Sequence, residues 1–91
     1  MASNKTGTFL RASGLTLYGT TACHLCELAE QILQYHHENI AQLSYAKKDI
    51  SESDELFLRY GVRIPVLRRA DGEELGWPFN AMQLGSFLES A

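Results

Sequence analysis

The sequence predicts an α/β domain in which a four-stranded mixed sheet is flanked by three helices, in the order β-α-β-α-β-β-α. Three observations lead to this prediction. Short apolar runs of strand length alternate with stretches of helical periodicity along the 91 residues. A strand, a helix and a further strand in succession require a right-handed parallel crossover. Asp71-Gly72, between the last two strand-like runs, is a strong signal for an antiparallel hairpin.

The first strand and the first helix are the most clearly patterned elements. Residues 15–18 alternate large apolar side chains with Thr and Tyr, as strands do. Residues 19–22 form a loop in which Thr20 or Thr21 is expected to cap the following helix. Residues 23–37 have helical periodicity, and one face of the predicted helix has the apolar side chains together with His36: Leu25, Leu28, Ala29, Ile32, Leu33 and His36.

The middle of the chain predicts a second strand and a short helix. Residues 43–46 are expected to form the strand. Ser51, with Asp54 three residues later, has the spacing of a capping box at the start of the helix. Gly61 is expected to end this helix in the left-handed conformation. Its buried positions are expected to be Leu56, Phe57 and Tyr60.

The last third predicts a hairpin and a final helix. Residues 64–67 are expected to form the third strand, with Pro65 near its start, where a missing hydrogen-bond donor is tolerated. Residues 74–77 are expected to form the fourth strand. Asn80 and Gln83 have the spacing of a second capping box, which opens the last helix. Its inward positions are Leu84, Phe87 and Leu88.

Composition limits the class of protein and its partners. The length suits one domain, expected over residues 14–91, after a polar, flexible leader over residues 1–13 that does not resemble a signal peptide. A net charge of -3 argues against nucleic acid as a partner. No apolar run approaches the roughly 18 residues of a membrane span. We therefore expect a cytoplasmic monomer that contacts neither nucleic acid nor membrane.

The two cysteines of the chain lie in the motif Cys23-His24-Leu25-Cys26, between the first strand and the first helix. A helix start has unpaired backbone N–H groups and a partial positive charge, which stabilise a thiolate. In a cytoplasmic protein such a pair is more often redox-active or metal-binding than structural. The sequence therefore predicts a redox-active dithiol, with Cys23 accessible to a substrate and Cys26 nearer the buried side of the helix.

This element order, with the cysteine pair at the first strand–helix junction and a proline opening the third strand, resembles the thioredoxin superfamily. Residues 17–18, 23–27 and 61–66 are similar to a family of short bacterial glutaredoxin-like proteins, and the resemblance covers residues 15 to about 90. It implies a thiol–disulfide oxidoreductase in which Cys23 attacks and Cys26 resolves. The substrate would be a disulfide-containing protein or a glutathione mixed disulfide.

The resemblance also implies a substrate-binding surface beside the cysteines. Pro65 would follow a cis peptide bond, and the backbone N–H and C=O of Ile64 would pair with an extended peptide or with glutathione. Ala22 and His24, which flank Cys23, are the other expected binding residues, and a protonated His24 would favour the neighbouring thiolate. No tightly bound cofactor is expected, and glutathione is a candidate reductant.

The chain departs from common glutaredoxins at three places. The residues between the cysteines are His24-Leu25 rather than Pro-Tyr. No basic residue lies a few positions before Cys23, and residues 77–81 replace the Gly-Gly stretch that contacts glutathione in that family.

Two alternatives remain open from the sequence. One is a metal or iron–sulfur carrier, although zinc prefers four ligands and His36 lies too far along the helix to share a metal with the cysteines. The other is an interaction module that retains the fold without general catalysis. His36 is expected to be a hydrogen-bonded core residue, whereas Arg63, Arg68 and Arg69 are expected to be solvated.

Overall fold

The structure, a computed structural model, describes residues 14–89, and the predicted leader lies outside the described residues. The α/β architecture is confirmed. Its elements, in chain order, are β1 (Leu15–Gly19), α1 (His24–Asn39), β2 (Tyr45–Asp49), a 3-10 turn (Ile50–Glu52), α2 (Asp54–Tyr60), β3 (Val66–Arg68), β4 (Glu74–Gly76) and α3 (Ala81–Glu89). No helix in this part of the chain is long and apolar enough to cross a membrane.

The sheet has the strand order β2-β1-β3-β4. β1 and β2 are parallel, with Gly19 opposite Asp49, so the predicted crossover through α1 is present. β3 is antiparallel to both of its neighbours, and Tyr18 lies opposite Val66. The turn at Asp71-Gly72 closes the predicted hairpin, and the positive φ of Gly72, 95°, is one that glycine adopts without steric cost.

Successive side chains of a strand point to opposite faces of the sheet, and both faces of this sheet carry buried apolar side chains. On one face, Leu67 of β3 packs in a core with Ala29 and Leu33 of α1 and Leu84 of α3. On the other face, Val66 packs in a smaller core. Burying a Leu or Val side chain stabilises the fold by roughly 1.5–3 kcal/mol. These two cores hold the carboxyl end of β1 and the start of α1 in fixed positions.

The predicted start of α2 is wrong by two residues. Ser53, not Ser51, is the cap, and its hydroxyl accepts the N–H of Leu56 at 3.3 Å. The carboxylate of Asp49 accepts the Ser51 N–H instead, which opens the 3-10 turn. The helix buries Tyr60 as expected, but Phe57 is 59% exposed.

The end of α2 also differs from the prediction. Gly61 has right-handed helical backbone angles, with φ -51° and ψ -40°, and its N–H donates to the Phe57 carbonyl. The helix therefore ends without a left-handed glycine. By contrast, the capping box of α3 is confirmed. Asn80 accepts the N–H of Gln83, and the Gln83 side chain accepts the N–H of Asn80, both at 2.8 Å.

The prediction of solvated arginines is wrong at Arg69, whereas Arg63 and Arg68 are exposed as expected. Arg69 is 5% exposed, forms two hydrogen bonds to the carboxylate of Asp71 and donates to the carbonyl of Phe87. Arg63 pairs with Glu74 at 2.7 Å. Each charge is held because a partner carboxylate lies close in the folded hairpin region.

His36 is buried in α1, but the expected hydrogen bond is not formed. Its Nδ1 atom has no hydrogen-bond partner within the described residues. Burial lowers the pKa of His36, and the carboxylate of Glu89 opposes this effect in part. The buried ring is therefore disfavoured in its charged form.

Candidate active site

Cys23 itself is the cap of α1, in place of Thr20 or Thr21. Its backbone is extended, with φ -107° and ψ 105°, and its sulfur accepts the N–H of Cys26 at 3.2 Å. The sulfur thus occupies the position at which a helix offers unpaired N–H groups and partial positive charge. A thiolate at this position would be stabilised by the same contact.

Cys23 and Cys26 are joined by a disulfide, with their Cα atoms 5.2 Å apart. Cys26 is 6% exposed, and Cys23 is half-buried. The two sulfurs therefore differ in accessibility in the order that the sequence predicts. A substrate can approach Cys23 more readily than Cys26.

The loop before Cys23 holds two residues in demanding positions. Ala22 has a positive φ of 55°, which an L-residue adopts at a cost of roughly 1–2 kcal/mol. A Cβ atom added to Gly19 would lie 2.9 Å from the Cys26 sulfur. Gly19 was not identified from the sequence, although a glycine at the end of the strand that leads into the motif is a signal of close backbone approach.

The Ile64–Pro65 peptide bond is cis, as the family resemblance implied. Val66 pairs with Tyr18, so this bond precedes β3 at the carboxyl end of β1, where the cysteine loop begins. Pro65 is buried, and its carbonyl accepts the N–H of Trp77 at 3.1 Å. A second cis bond, Trp77–Pro78, was not expected from the sequence.

Of the two backbone groups of Ile64 that were expected to bind a partner, only the carbonyl is available. Its N–H donates to the carbonyl of Tyr60 at 3.0 Å and cannot at the same time pair with a peptide. Within the described residues, no hydrogen bond reaches the Ile64 carbonyl, so this oxygen is the group that an extended partner could meet.

A cleft of about 370 Å³ opens beside the disulfide, on the β2 side of the site. Both cysteines and Ala22 line it, whereas the other expected binding residues, His24, Ile64 and Pro65, do not. The structure therefore separates the expected binding residues into two groups. The charged residues of the lining, none of them predicted, are Glu27, Glu30, Lys47, Lys48, Asp49 and Glu52.

Two lysine–glutamate pairs cross this lining. Lys47 of β2 lies 3.1 Å from Glu30 of α1, which also accepts the hydroxyl of Tyr45 at 2.7 Å. Burial, followed by the contact with Glu30, raises the pKa of Tyr45. Lys48 lies 3.5 Å from Glu52. The β2 wall of the cleft is thus polar and bears paired charges.

Asp49 and Glu27 complete the charged lining. The hydroxyl and N–H of Ser51 donate to Asp49 and lower the pKa of its carboxyl group. Glu27 is one turn beyond Cys23, and its side chain is exposed, 3.8 Å from the ring of His24. Among the described residues, neither carboxylate has a lysine or arginine within ion-pair distance.

An aromatic and ionic cluster borders the opposite side of β1. Tyr18 stacks on Tyr60 at 4.2 Å between ring centroids. The Tyr60 hydroxyl donates to Glu74, and burial together with this bond raises the pKa of Tyr60 to about 12. These partners hold the segment that leads to the cis bond.

The described residues were also searched for a possible metal site. Residues 14–89 contain no group of three or more His, Cys, Asp or Glu side chains arranged to hold a metal ion. The arrangement at the start of α1 is instead that of a dithiol–disulfide couple.

Comparison with known proteins finds a family whose model covers the same residues that the structure describes. The family model described as "Glutaredoxin-like domain (DUF836)" matches residues 14–89. The crystal structure of a structural genomics target protein from X. campestris is similar, with 38% identity, a TM-score of 0.75 and coverage of 85% of this chain and 97% of that one. No curated protein matches the chain significantly.

Two solution structures extend the comparison. A protein from Nitrosomonas europaea has 25% identity and a TM-score of 0.69, over 80% of this chain and 87% of its own. Oxidised thioredoxin from Plasmodium falciparum has 14% identity and a TM-score of 0.51, over 94% of this chain and 88% of its own. At this identity the thioredoxin match shows the fold alone, and it confirms the thioredoxin-like architecture.

Proposed function

This chain belongs to the glutaredoxin-like domain family (DUF836), and on that basis we propose that it is a thiol–disulfide oxidoreductase. Cys23 is the attacking cysteine and Cys26 the resolving one. The observation that carries the proposal is the position of the Cys23 sulfur, which caps α1, accepts the Cys26 N–H and is bonded to a buried second sulfur. The Cys23 sulfur is therefore both the more accessible of the two and the one placed where a thiolate is stabilised.

The reaction begins with the reduced dithiol. The Cys23 thiolate attacks one sulfur of a substrate disulfide, the substrate S–S bond breaks, and the departing thiolate takes a proton from solvent. Cys23 is then joined to the substrate in a mixed disulfide. The deprotonated Cys26 attacks the Cys23 sulfur, forms the Cys23–Cys26 bond and releases the second substrate thiol. The substrate gains two electrons, and the protein loses them.

A reducing partner must then return two electrons to the Cys23–Cys26 disulfide. Glutathione, in two successive thiol exchanges, and a protein reductase with its own dithiol are the two chemical classes that balance this step. The cysteine loop supports such an exchange because Cys23 is the more accessible sulfur of the pair.

The test is to trap the mixed disulfide. A Cys26→Ser variant, reduced and mixed with bis(2-hydroxyethyl) disulfide, should accumulate one mercaptoethanol adduct per chain, and peptide mapping should locate it on Cys23. The wild type should instead reach its internal disulfide, with a mass lower by two hydrogens. The double variant Cys23→Ser/Cys26→Ser is the control.

An absence of adduct on the Cys26→Ser variant at neutral pH would refute the proposal. It would favour the alternative of an interaction module, in which Cys23 is no more reactive than an ordinary thiol. Alkylation of Cys23 by iodoacetamide near pH 6 measures the same property independently, because only the thiolate reacts.

A further inference from the structure

We propose, on the basis of the oxidoreductase function above, that the cleft beside Cys23 selects disulfides flanked by positive charge. The substrate class would be a protein or peptide cystine with Lys or Arg next to the sulfur. Anionic disulfides, among them glutathione disulfide, would react more slowly than their size alone predicts.

The charge of the lining carries this inference. Four carboxylates, on Glu27, Glu30, Asp49 and Glu52, face two ammonium groups, on Lys47 and Lys48, so the lining has a net charge of 2 minus 4, or -2, with His24 outside it. This sum does not depend on which groups are paired. A cleft lined by charges of one net sign concentrates ligands of the opposite sign.

The pairing shows where the excess charge lies. Each lysine is matched by one glutamate, Lys47 by Glu30 and Lys48 by Glu52. The carboxylates that remain are Glu27 and Asp49. One lies a single helical turn beyond the attacking sulfur, and the other lies at the end of β2, where it pairs with Gly19 of the cysteine strand.

The carboxylate of Asp49 is held in place by its hydrogen bonds. It accepts two hydrogen bonds from Ser51, at 2.9 Å and 2.7 Å, so its charge is held at the cleft wall. Glu27 is attached to the first turn of α1, and its N–H donates to the Cys23 carbonyl at 3.1 Å. Since neither charge is offset by a lysine or arginine of the described chain, both are available to a cationic substrate.

Glutathione fits this lining poorly. It has more carboxylates than ammonium groups and is a net anion at neutral pH. The chain also lacks a basic residue in the loop before Cys23, where Gly19 to Ala22 carry no charge. A substrate with lysine or arginine beside its disulfide would place that charge near Glu27 and Asp49.

The experiment compares three small disulfides of matched size. Cystamine is cationic, bis(2-hydroxyethyl) disulfide is neutral, and 3,3'-dithiodipropionate is anionic. Reduced wild-type protein is mixed with each at pH 7.5 and low ionic strength, quenched with acid, and assayed for protein thiols by mass. Each rate is divided by the rate of 1-thioglycerol, an uncharged small thiol, with the same disulfide, which removes the intrinsic reactivity of the probe.

We expect the cationic probe to exceed the anionic one by about tenfold after this normalisation, and the ratio to fall toward one in high salt. The variant Glu27→Gln/Asp49→Asn should lower the ratio to about threefold or less at low salt. The amide side chain introduced at position 49 retains an oxygen that can accept from Ser51. Glu38→Gln, near the other end of α1 and exposed, removes one charge far from the cleft and should retain the wild-type ratio.

The outcomes separate this inference from the proposed function. Equal normalised rates for the three probes, or a faster anionic probe, would overturn the charge selection while the reaction itself stands. A ratio unaffected by salt and by the double variant would overturn it as well. A failure of all three disulfides to oxidise the protein would overturn the oxidoreductase function and, with it, this inference.

Discussion

The first and last helices of the molecule begin in different ways. α3 begins with a reciprocal capping box, in which Asn80 and Gln83 exchange two hydrogen bonds of 2.8 Å. α1 begins with a single, longer contact of 3.2 Å to the sulfur of Cys23, after a residue with positive φ. Sulfur is a weak hydrogen-bond acceptor. The start of α3 therefore has a cap made of two strong hydrogen bonds, whereas the start of α1 has the sulfur of the proposed nucleophile at its cap position.

The largest expected effect is that of replacing Cys23, which tests its role as nucleophile separately from its role as the cap of α1. Cys23→Ser should lower disulfide-exchange activity by at least about a thousandfold, because the nucleophile is lost. Serine is a preferred cap, so the free energy of unfolding of the reduced variant should stay within about 1 kcal/mol of the reduced wild type. Activity assays and urea unfolding under reducing conditions measure the two quantities. Retained activity, or a large loss of stability, would remove the contrast between the helix starts.

The next effect concerns the close contact behind Cys26. Gly19→Ala places a Cβ atom 2.9 Å from the Cys26 sulfur and should destabilise the oxidised protein by about 1–3 kcal/mol through overpacking. Gly76→Ala in β4 is the matched control, since its added Cβ meets no atom within 4 Å. Chemical unfolding of both variants is the measurement. Equal stabilities would show that Gly19 does not constrain the sulfur.

Replacing the cap of α3 should have the opposite effect to replacing Cys23: stability should fall and activity should be unchanged. Asn80→Ala removes the acceptor for the Gln83 N–H and should lower the free energy of unfolding by about 1 kcal/mol. Its exchange activity should remain that of the wild type, because α3 does not line the cleft. Thermal unfolding and a disulfide-reduction assay together test this. An activity loss without a stability loss would contradict it.

A smaller effect is expected at the residue before the reactive cap. Ala22→Gly should raise the free energy of unfolding by up to about 1 kcal/mol, because glycine adopts the positive φ without the steric cost that alanine incurs. The greater freedom of glycine in the unfolded chain offsets part of the gain. Urea unfolding of the two oxidised proteins measures the difference. Clear destabilisation would show that the backbone at Ala22 is not strained.

The smallest effect is a pH dependence from the last turn of α1. Since burial lowers the pKa of His36 in the folded chain, the unfolded chain binds a proton at pH values where the folded chain does not. The free energy of unfolding should therefore decrease as the pH falls below about 6.5 and be fully retained above it. His36→Leu should lose this contribution when the two unfolding curves are compared between about pH 5 and pH 8. Parallel pH profiles would refute it.

Much of the fold was predictable because its signals are local. Alternation along residues 15–18, helical spacing along residues 23–37 and the Asp71-Gly72 turn each act within a few residues. The capping box of α3 was predictable for the same reason. The start of α2 was missed because the Asp49 carboxylate captures Ser51 and leaves Ser53 to cap the helix.

The site was predictable only in part. The two cysteines are close together in the sequence, whereas the residues that line the cleft come from distant segments of the chain. The β2 lysines reach the cleft through strand pairing with β1, and no spacing rule links them to the motif. The burial of Arg69 likewise depends on a carboxylate and a helix carbonyl that the fold brings to it. The amide of Ile64 was expected to be available because nothing in the sequence indicates its bond to Tyr60.

The position of β2 at the margin of the described sheet has a consequence for solubility. Within residues 14–89, one side of this strand has no neighbouring strand, and an open strand margin can recruit a second copy and start aggregation. Adjacent lysines, Lys47 and Lys48, lie on this strand with exposed side chains, and lysines on an edge strand are one means by which natural sheets disfavour such pairing. We therefore expect the lysines that line the cleft also to limit self-association at high concentration.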